Sequence, residues 1–433
     1  MNSRLQVLKK ELTELHWTEK MEVANLTAML MMLPINSGIS LVFTCCWILS
    51  VVLKNTLLKR WSFFFWHQDK SFNYDKSSCV LIPMMCYWLA YLVSMLWTEN
   101  QATGWVQVGQ VAWFFIVPFV CLCTDFRQIS KRMLRAMLWM FVLTMTVLFW
   151  FLFVKAVLIT CQSSSQLLMN VLTVFSDYMH HGYSSLYVVA GLTFLYTELI
   201  QKEKLGRKML ALLAFCAGCL VLFTFFVNSR AGVLGLILLA LAGGLHSCII
   251  RKKLRQGIMA VVAILAVVAV VHFALPEQFR RLSQTTTEIA EGETSDARFQ
   301  IMENAWMVVK ENVWFGVGAG DRMESLVPYY GTLEDTYCPH NQFLDTWLAT
   351  GVFGMLILWI MLLLPIVVSW RKRLFFPVMI NIVLIVNLLV ESMFERQMGI
   401  VFFFVMMIVF VLDVQYVSSS QGSKPGKIES INH

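Results

Sequence analysis

The chain has 433 residues, 58% of them hydrophobic and only 14% charged, with a net charge of +7 and nine prolines. A soluble domain carries about 45–50% apolar and about 25% charged residues. A soluble enzyme, a disordered protein, a collagen and a disulfide scaffold are therefore excluded, and a polytopic helical membrane protein remains.

The first 20 residues are polar and lack the short apolar core of a signal peptide. Leu5, Leu8, Leu12 and Leu15 predict a short amphipathic helix on the membrane surface over 1–20. Apolar runs between charged breaks then predict twelve spans. They are 21–34, 37–54, 78–97, 105–123, 134–160, 184–201, 208–227, 231–250, 257–275, 343–370, 374–394 and 398–417. Nine fall within 21–275 and three within 343–417, and a Ser/Gly/Lys-rich tail, 418–433, is expected to be disordered.

With both termini inside, 26 of the 34 Lys and Arg residues fall on the inner side. Positive inner loops are what membrane topology demands, so the net charge needs no nucleic acid to explain it. The long outer segment, 276–342, should hold a helix from Asp296 to about Lys310. Phe299, Met302, Trp306 and Val309 are expected to form its seating face.

Charges on the outer side ask for a reason. Arg230 sits in FFVNSRAGVLG, a junction with no room for a solvated loop. It reads either as an arginine snorkelling to headgroups or as a cation aimed into an outward cavity. Arg298 opens the outer helix, where a solvated surface charge is the plain alternative. Arg280 and Arg281 follow Pro276, where headgroup contact is the alternative. Arg396 shares a small turn with Glu391, Glu395 and Gln397, where a local ion pair is expected.

His340, beside Asn341, is a side chain that can take a proton near neutral pH. His180 and His181 lie in an outer loop without Lys or Arg and could line an acceptor site. No HExxH or paired-cysteine pattern supports a metal, so neither metal nor cofactor is expected. Cys216 and Cys219 form a CxxC in mid-span and read as packing residues. Cys161 and Cys338 lie outside the membrane and are either joined or free. Gly316 to Asp321, GVGAGD, follows a helix rather than a strand, so it reads as a flexible turn and not a nucleotide loop.

Taken together these residues resemble the O-antigen ligase and O-antigen polymerase superfamily of bacterial membrane enzymes. His340–Asn341, nine residues, then Gly351–Val352–Phe353–Gly354 is similar to the ligase signature. Arg230 with Leu234 resembles the family's Arg-x-x-x-Leu at an outer span junction. Arg298, Trp306 and GVGAGD resemble its Arg…Trp…GVG stretch, with Val313–Trp314 where His-Pro is frequent. Leu96 to Asn100, LWTEN, resembles a segment after an early span.

The resemblance implies an all-α polytopic membrane glycosyltransferase of the GT-C type in the bacterial inner membrane, with the outer segment 276–342 as a periplasmic catalytic loop. It implies a glycan donor on undecaprenyl pyrophosphate and lipid A–core as acceptor. In that reading Arg230 and Arg298 hold the pyrophosphate and His340 is the base. Arg281, Arg396, Asn341 and His181 are further candidates, and metal-free in-line attack inverts the anomeric centre. A polymerase, a protein O-oligosaccharyltransferase and, outside the class, a twelve-helix transporter remain open.

Overall fold

The structure, a computed structural model, describes residues 2–61, 76–163, 166–201, 206–227, 229–250, 258, 262, 297–330 and 338–422. Among them every regular element is helical and no strand occurs. In chain order the helices are α1 (Asn2–Glu14), α2 (Trp17–Met32), α3 (Ser37–Leu57), α4 (Ile82–Ser94), α5 (Gln101–Val111), α6 (Trp113–Leu122), α7 (Lys131–Ser163) and α8 (Leu167–Tyr178). They continue with α9 (His181–Gln201), α10 (Arg207–Phe226), α11 (Arg230–Leu245), α12 (Ala297–Glu311), α13 (Gln342–Arg371), α14 (Phe375–Val390) and α15 (Gln397–Gly422).

Eight of the described helices are long and apolar enough to cross a membrane, with α5 and α6 together making one span, Gln101–Leu122. They match the expected spans from 37, 105, 134, 184, 208, 231, 343 and 398. The differences are these. Helices covering the spans expected at 78–97 and 374–394 are present but shorter, Cys79–Ser94 and Phe375–Val390. The span expected at 21–34 is instead part of α2, whose 16 residues include Glu19, Lys20 and Glu22. An additional helix, α8, occupies part of what looked like an outer loop. The span expected at 257–275 lies outside the described residues apart from 258 and 262. The helix of α15 runs on through Gly422 into the stretch expected to be disordered, and 423–433 lie outside the described residues.

Burial tells which helices are central. Most of the spans in α9 and α15 are enclosed by protein, whereas α3, α7, α10 and α13 leave most of their span residues outside the core. Those outer helices expose large apolar side chains such as Leu49, Phe151, Phe215 and Trp370, as lipid-facing surfaces require. The central α9 packs against α10, α11 and α14. Glu22 of α2, buried in this apolar bundle, is paired. Lys54 of α3 donates to Glu22 of α2 at 2.8 Å, with both side chains buried. Gln128 donates to the same Glu22 oxygen at 2.8 Å. A buried charge is tolerated only with such partners.

Helix α12 agrees with its expected bounds within a residue at each end. Its seating face agrees only in part: Val309 is buried and Met302 half-buried as expected, and the two aromatics are not. Ile301, Ala305, Val308 and Val309 are buried, whereas Phe299 and Trp306 are exposed. Ala305, Val308 and Val309 pack on Leu326 and on Leu348 of α13. Small and branched side chains allow the close approach to α13 that an aromatic face would hold off. The tryptophan instead meets Trp347 edge-on, with ring centroids 5.6 Å apart.

After α12 the glycine run is a tightly packed turn, not a flexible one. The Val317 N–H donates to the Leu348 carbonyl at 2.7 Å, and the Val352 N–H donates to Val313 at 2.9 Å. Gly316 (φ +69°) and Gly351 (φ +71°) both adopt left-handed backbone where the two segments touch. A Cβ on Gly351 would lie 2.1 Å from the Trp314 carbonyl oxygen, and one on Gly316 would lie 2.3 Å from that of Leu348. No other residue fits either position. Gly351→Ala is therefore expected to break the turn off α13, at a cost of about 1–3 kcal/mol from backbone strain alone. A lower unfolding midpoint and fast proteolysis between 312 and 326 would show this; wild-type resistance would contradict it.

Candidate functional site

His340 stands at the entry to α13 in a left-handed conformation, φ +48°. That backbone state is uncommon outside glycine, and histidine is among the residues that tolerate it. Asn341 caps the helix, its Oδ1 accepting the N–H groups of Phe343 (2.9 Å) and Leu344 (3.1 Å). Its amide nitrogen donates to the Leu389 carbonyl at 3.1 Å, in the last turn of α14. Asn341 thus caps α13 and ties its start to the end of α14. The nine residues before Gly351 are a helical stretch of roughly 14 Å at about 1.5 Å per residue, running from this cap to the packed glycine turn.

Among the described residues the imidazole pairs with one carboxylate. His340 Nδ1 lies 3.2 Å from Glu391 Oε2, and both side chains are mostly buried. An ionised carboxylate has no proton to give. Nδ1 is then the donor, and Nε2 is left as the basic nitrogen. Glu391 ends α14, so the Asn341 and His340 contacts fasten the start of α13 to the end of α14 twice.

Behind this pair lies a buried charge cluster that sequence reading missed. Arg322, on the turn after GVGAGD, pairs with Asp345 of α13 and with Glu395. Only 4% of the Arg322 side chain is exposed and 1% of the Asp345 side chain, so this contact is shielded from water. Burial alone disfavours the guanidinium charge, but the carboxylates of Asp345 and Glu395 outweigh it and hold the arginine more firmly protonated than in water. The local ion pair expected for Arg396 is not formed. Glu391 goes to His340 and Glu395 to Arg322, and Arg396 is exposed. Both carboxylates turn inward to less exposed partners rather than to the exposed Arg396.

More contacts gather around the cluster. The Phe394 N–H donates to Gln342 Oε1 at 2.7 Å, and Tyr87 of α4 shares a 2.9 Å hydrogen bond with Thr346. Asp321, the last residue of GVGAGD, accepts the backbone N–H groups of Glu99 and Asn100, both at 2.7 Å. Asn100 also donates to Glu324 at 2.6 Å. The LWTEN and GVGAGD segments, about 220 positions apart in sequence, thus meet at one carboxylate.

Arg230 is the first residue of α11, behind Ser229, whose hydroxyl accepts the Gly232 N–H at 3.0 Å. Gly232 backs onto Ser185 of α9, and Ser185 donates to Asn387 at 3.1 Å. Asn387 is one turn before Glu391. The backbone start of α9 at His181 is also here, since a Cβ on Gly182 would lie 3.5 Å from Glu391 Cγ. The N-termini of α9, α11 and α13 therefore converge at the His340 end of the bundle. Arg298 lies in the first turn of α12. The side chains of Arg230, Arg298 and His181, and all of Arg280 and Arg281, lie outside the described residues.

Cys338 and Cys161 are both free thiols. Burial, then the charges of Glu395 and Asp345, push the Cys338 thiol up to about 11. A raised thiol is protonated at neutral pH, so its alkylation rate should climb until about pH 11 rather than level off near the ordinary value of about 8.5. A plateau below pH 9 would contradict the buried acidic surroundings. Arg322→Leu strands two buried carboxylates, a loss expected to cost about 3–5 kcal/mol. Thermal unfolding of the variant in detergent reads this directly, and an unchanged midpoint would remove the cluster from any structural role.

Compared with known families, residues 210–359 match the model described as O-antigen ligase. The matched segment holds Arg230, Arg298, Arg322, His340, Asp345 and Gly351, while His181, Glu391 and Glu395 lie beyond it. No curated protein matches the chain.

Proposed function

With an O-antigen ligase segment over 210–359 as the premise, we propose that this multi-pass membrane enzyme transfers a glycan from undecaprenyl pyrophosphate to lipid A–core. The reaction takes place at the His340 end of the bundle, on the periplasmic side of the inner membrane, in a GT-C-type architecture. The observation that carries this reading is the His340–Glu391 pair, set on a left-handed backbone beside the helix starts that bear His181 and Arg230.

The chemistry follows from the residues. The acceptor hydroxyl attacks the anomeric carbon as the bond to the pyrophosphate oxygen breaks. His340 Nε2 takes the hydroxyl proton, and Glu391 stabilises the imidazolium that forms. A positioned base of this kind is worth about 10²–10⁴-fold in rate. Undecaprenyl pyrophosphate leaves as the anion. Arg230 and Arg298 bind its oxygens in the paired geometry that only a guanidinium offers. The converging N-termini of α9, α11 and α13 add positive dipole ends for the same anion. Arginines and helix ends together stabilise the leaving charge without a divalent ion, and direct attack inverts the sugar. The ligase reading rests on the His-Asn-x9-GxxG signature; an acceptor that is the growing glycan itself would make the same machinery a polymerase.

His340→Ala should lower transfer by about 10²–10⁴-fold with insertion into the membrane unchanged. Glu391→Gln should fall between that variant and wild type, with its pH profile displaced, because the amide cannot stabilise the imidazolium. Arg230→Lys should transfer poorly, since a lysine cannot bind in pairs, and activity should survive a chelator. Full transfer by His340→Ala would defeat the mechanism, and loss in chelator with rescue by magnesium or zinc would replace the arginines with a metal.

A further inference from the structure

At the far end of the same helices lies a second polar recess. It is lined by the start of α7, the ends of α9, α11 and α15, the exit of α13 and the start of α14. The 21 residues of α9 put about 30 Å between this recess and Glu391, the thickness of a bilayer core. The recess is open at its mouth and has a cavity volume of about 90 Å³, so it can hold part of an amphiphile whose remainder lies outside it.

Its wall is of two kinds. Lys131, Arg135, His246 and Arg373 face it together with the carboxylates Glu198 and Asp413. Leu138, Phe194 and Phe376 supply an apolar side. The charges do not cancel. Arg135 pairs with Glu198, which also accepts the Trp139 indole N–H at 3.2 Å. Lys131 acts electrostatically on Asp413. Among the described residues Arg373 makes no ion pair and is exposed. His246 shares a 3.1 Å hydrogen bond with Tyr196.

Arg373 is also strained. It closes α13 in a left-handed conformation, φ +57°, with Leu374 N–H bonded back to Ser369 at 2.9 Å. This is the helix-end position that glycine ordinarily takes. A long cation there needs a reason other than the backbone. A cation left over in a recess that is half polar and half apolar, at the membrane boundary, matches an amphiphile with an anionic head.

We propose that this recess binds an anionic phospholipid, its phosphate on Arg373 and Lys131 and one acyl chain along Leu138, Phe194 and Phe376. The site is separate from the glycan-transfer reading and stands or falls without it. Arg373→Gly makes a sharp test, because it removes the cation and relieves the backbone together, so misfolding cannot mimic the loss.

The full-length protein, purified in detergent and stripped of lipid, is titrated with phosphatidylglycerol, phosphatidylcholine or inorganic phosphate, with binding read by native mass spectrometry and thermal shift. Phosphatidylglycerol should be retained and raise the midpoint, and the other two should do neither. Each cation removed, in Arg373→Gly or Lys131→Ala, should weaken retention by about fivefold, while Arg373→Gly alone keeps or raises its lipid-free midpoint. Equal retention of phosphatidylcholine would overturn the proposal. So would wild-type retention by the double variant, or inorganic phosphate matching the lipid's effect.

Discussion

Arg322 is the residue on which the His340 end depends. A single buried guanidinium joins Asp345 in the first turn of α13 to Glu395 beyond α14, and it does so from the turn that follows GVGAGD. Three chain segments are thereby drawn to one point. Water has little access to Arg322 or Asp345, so neither can readily exchange its partner for solvent. The positions of α13, of the 393–395 turn and of the glycine turn then follow from one set of contacts, and so does the frame in which His340 meets Glu391.

That frame explains why the residues that resemble a ligase signature stand where they do. Asn341 ends the loop and starts the helix. The stretch to Gly351 is a fixed length of α13. Gly351 and Gly316 let the turn after α12 lie directly on α13, where any side chain would collide. Asp321 carries the contact further, to the backbone of Glu99 and Asn100. Segments that look like separate motifs in the sequence are parts of one clamp around the start of α13.

Much of this was legible in the sequence, and the remainder fails for physical reasons. Spans such as α7 and α13 are written in composition alone, because lipid selects for apolar residues regardless of partners. α8 was hidden because helices of its length depend on packing, and α2 was misread because its charges are satisfied by Lys54 and Arg60 from elsewhere in the chain. His340 and Asn341 could be read from spacing. Glu391 as the partner of His340, and Arg322 as the partner of Asp345, could not, since both pairings are tertiary. One signal was available: Asp345 is a carboxylate near the start of an apolar run, and such a residue demands a partner. On α12 the periodicity identifies Val309 but not Phe299 or Trp306, because close packing on α13 favours Ala305 and Val308 over aromatic rings.

The central claim is that His340 removes the acceptor proton during glycan transfer to lipid A–core. The most direct measurement is transfer by the purified, reconstituted protein from an undecaprenyl-pyrophosphate oligosaccharide, with lipid A–core as acceptor and products resolved by gel and mass. The account predicts a donor-dependent shift of the lipid A–core band that is lost in His340→Ala while donor binding is kept. A ladder growing on the undecaprenyl carrier with lipid A–core untouched, or a shift undiminished in His340→Ala, would contradict it.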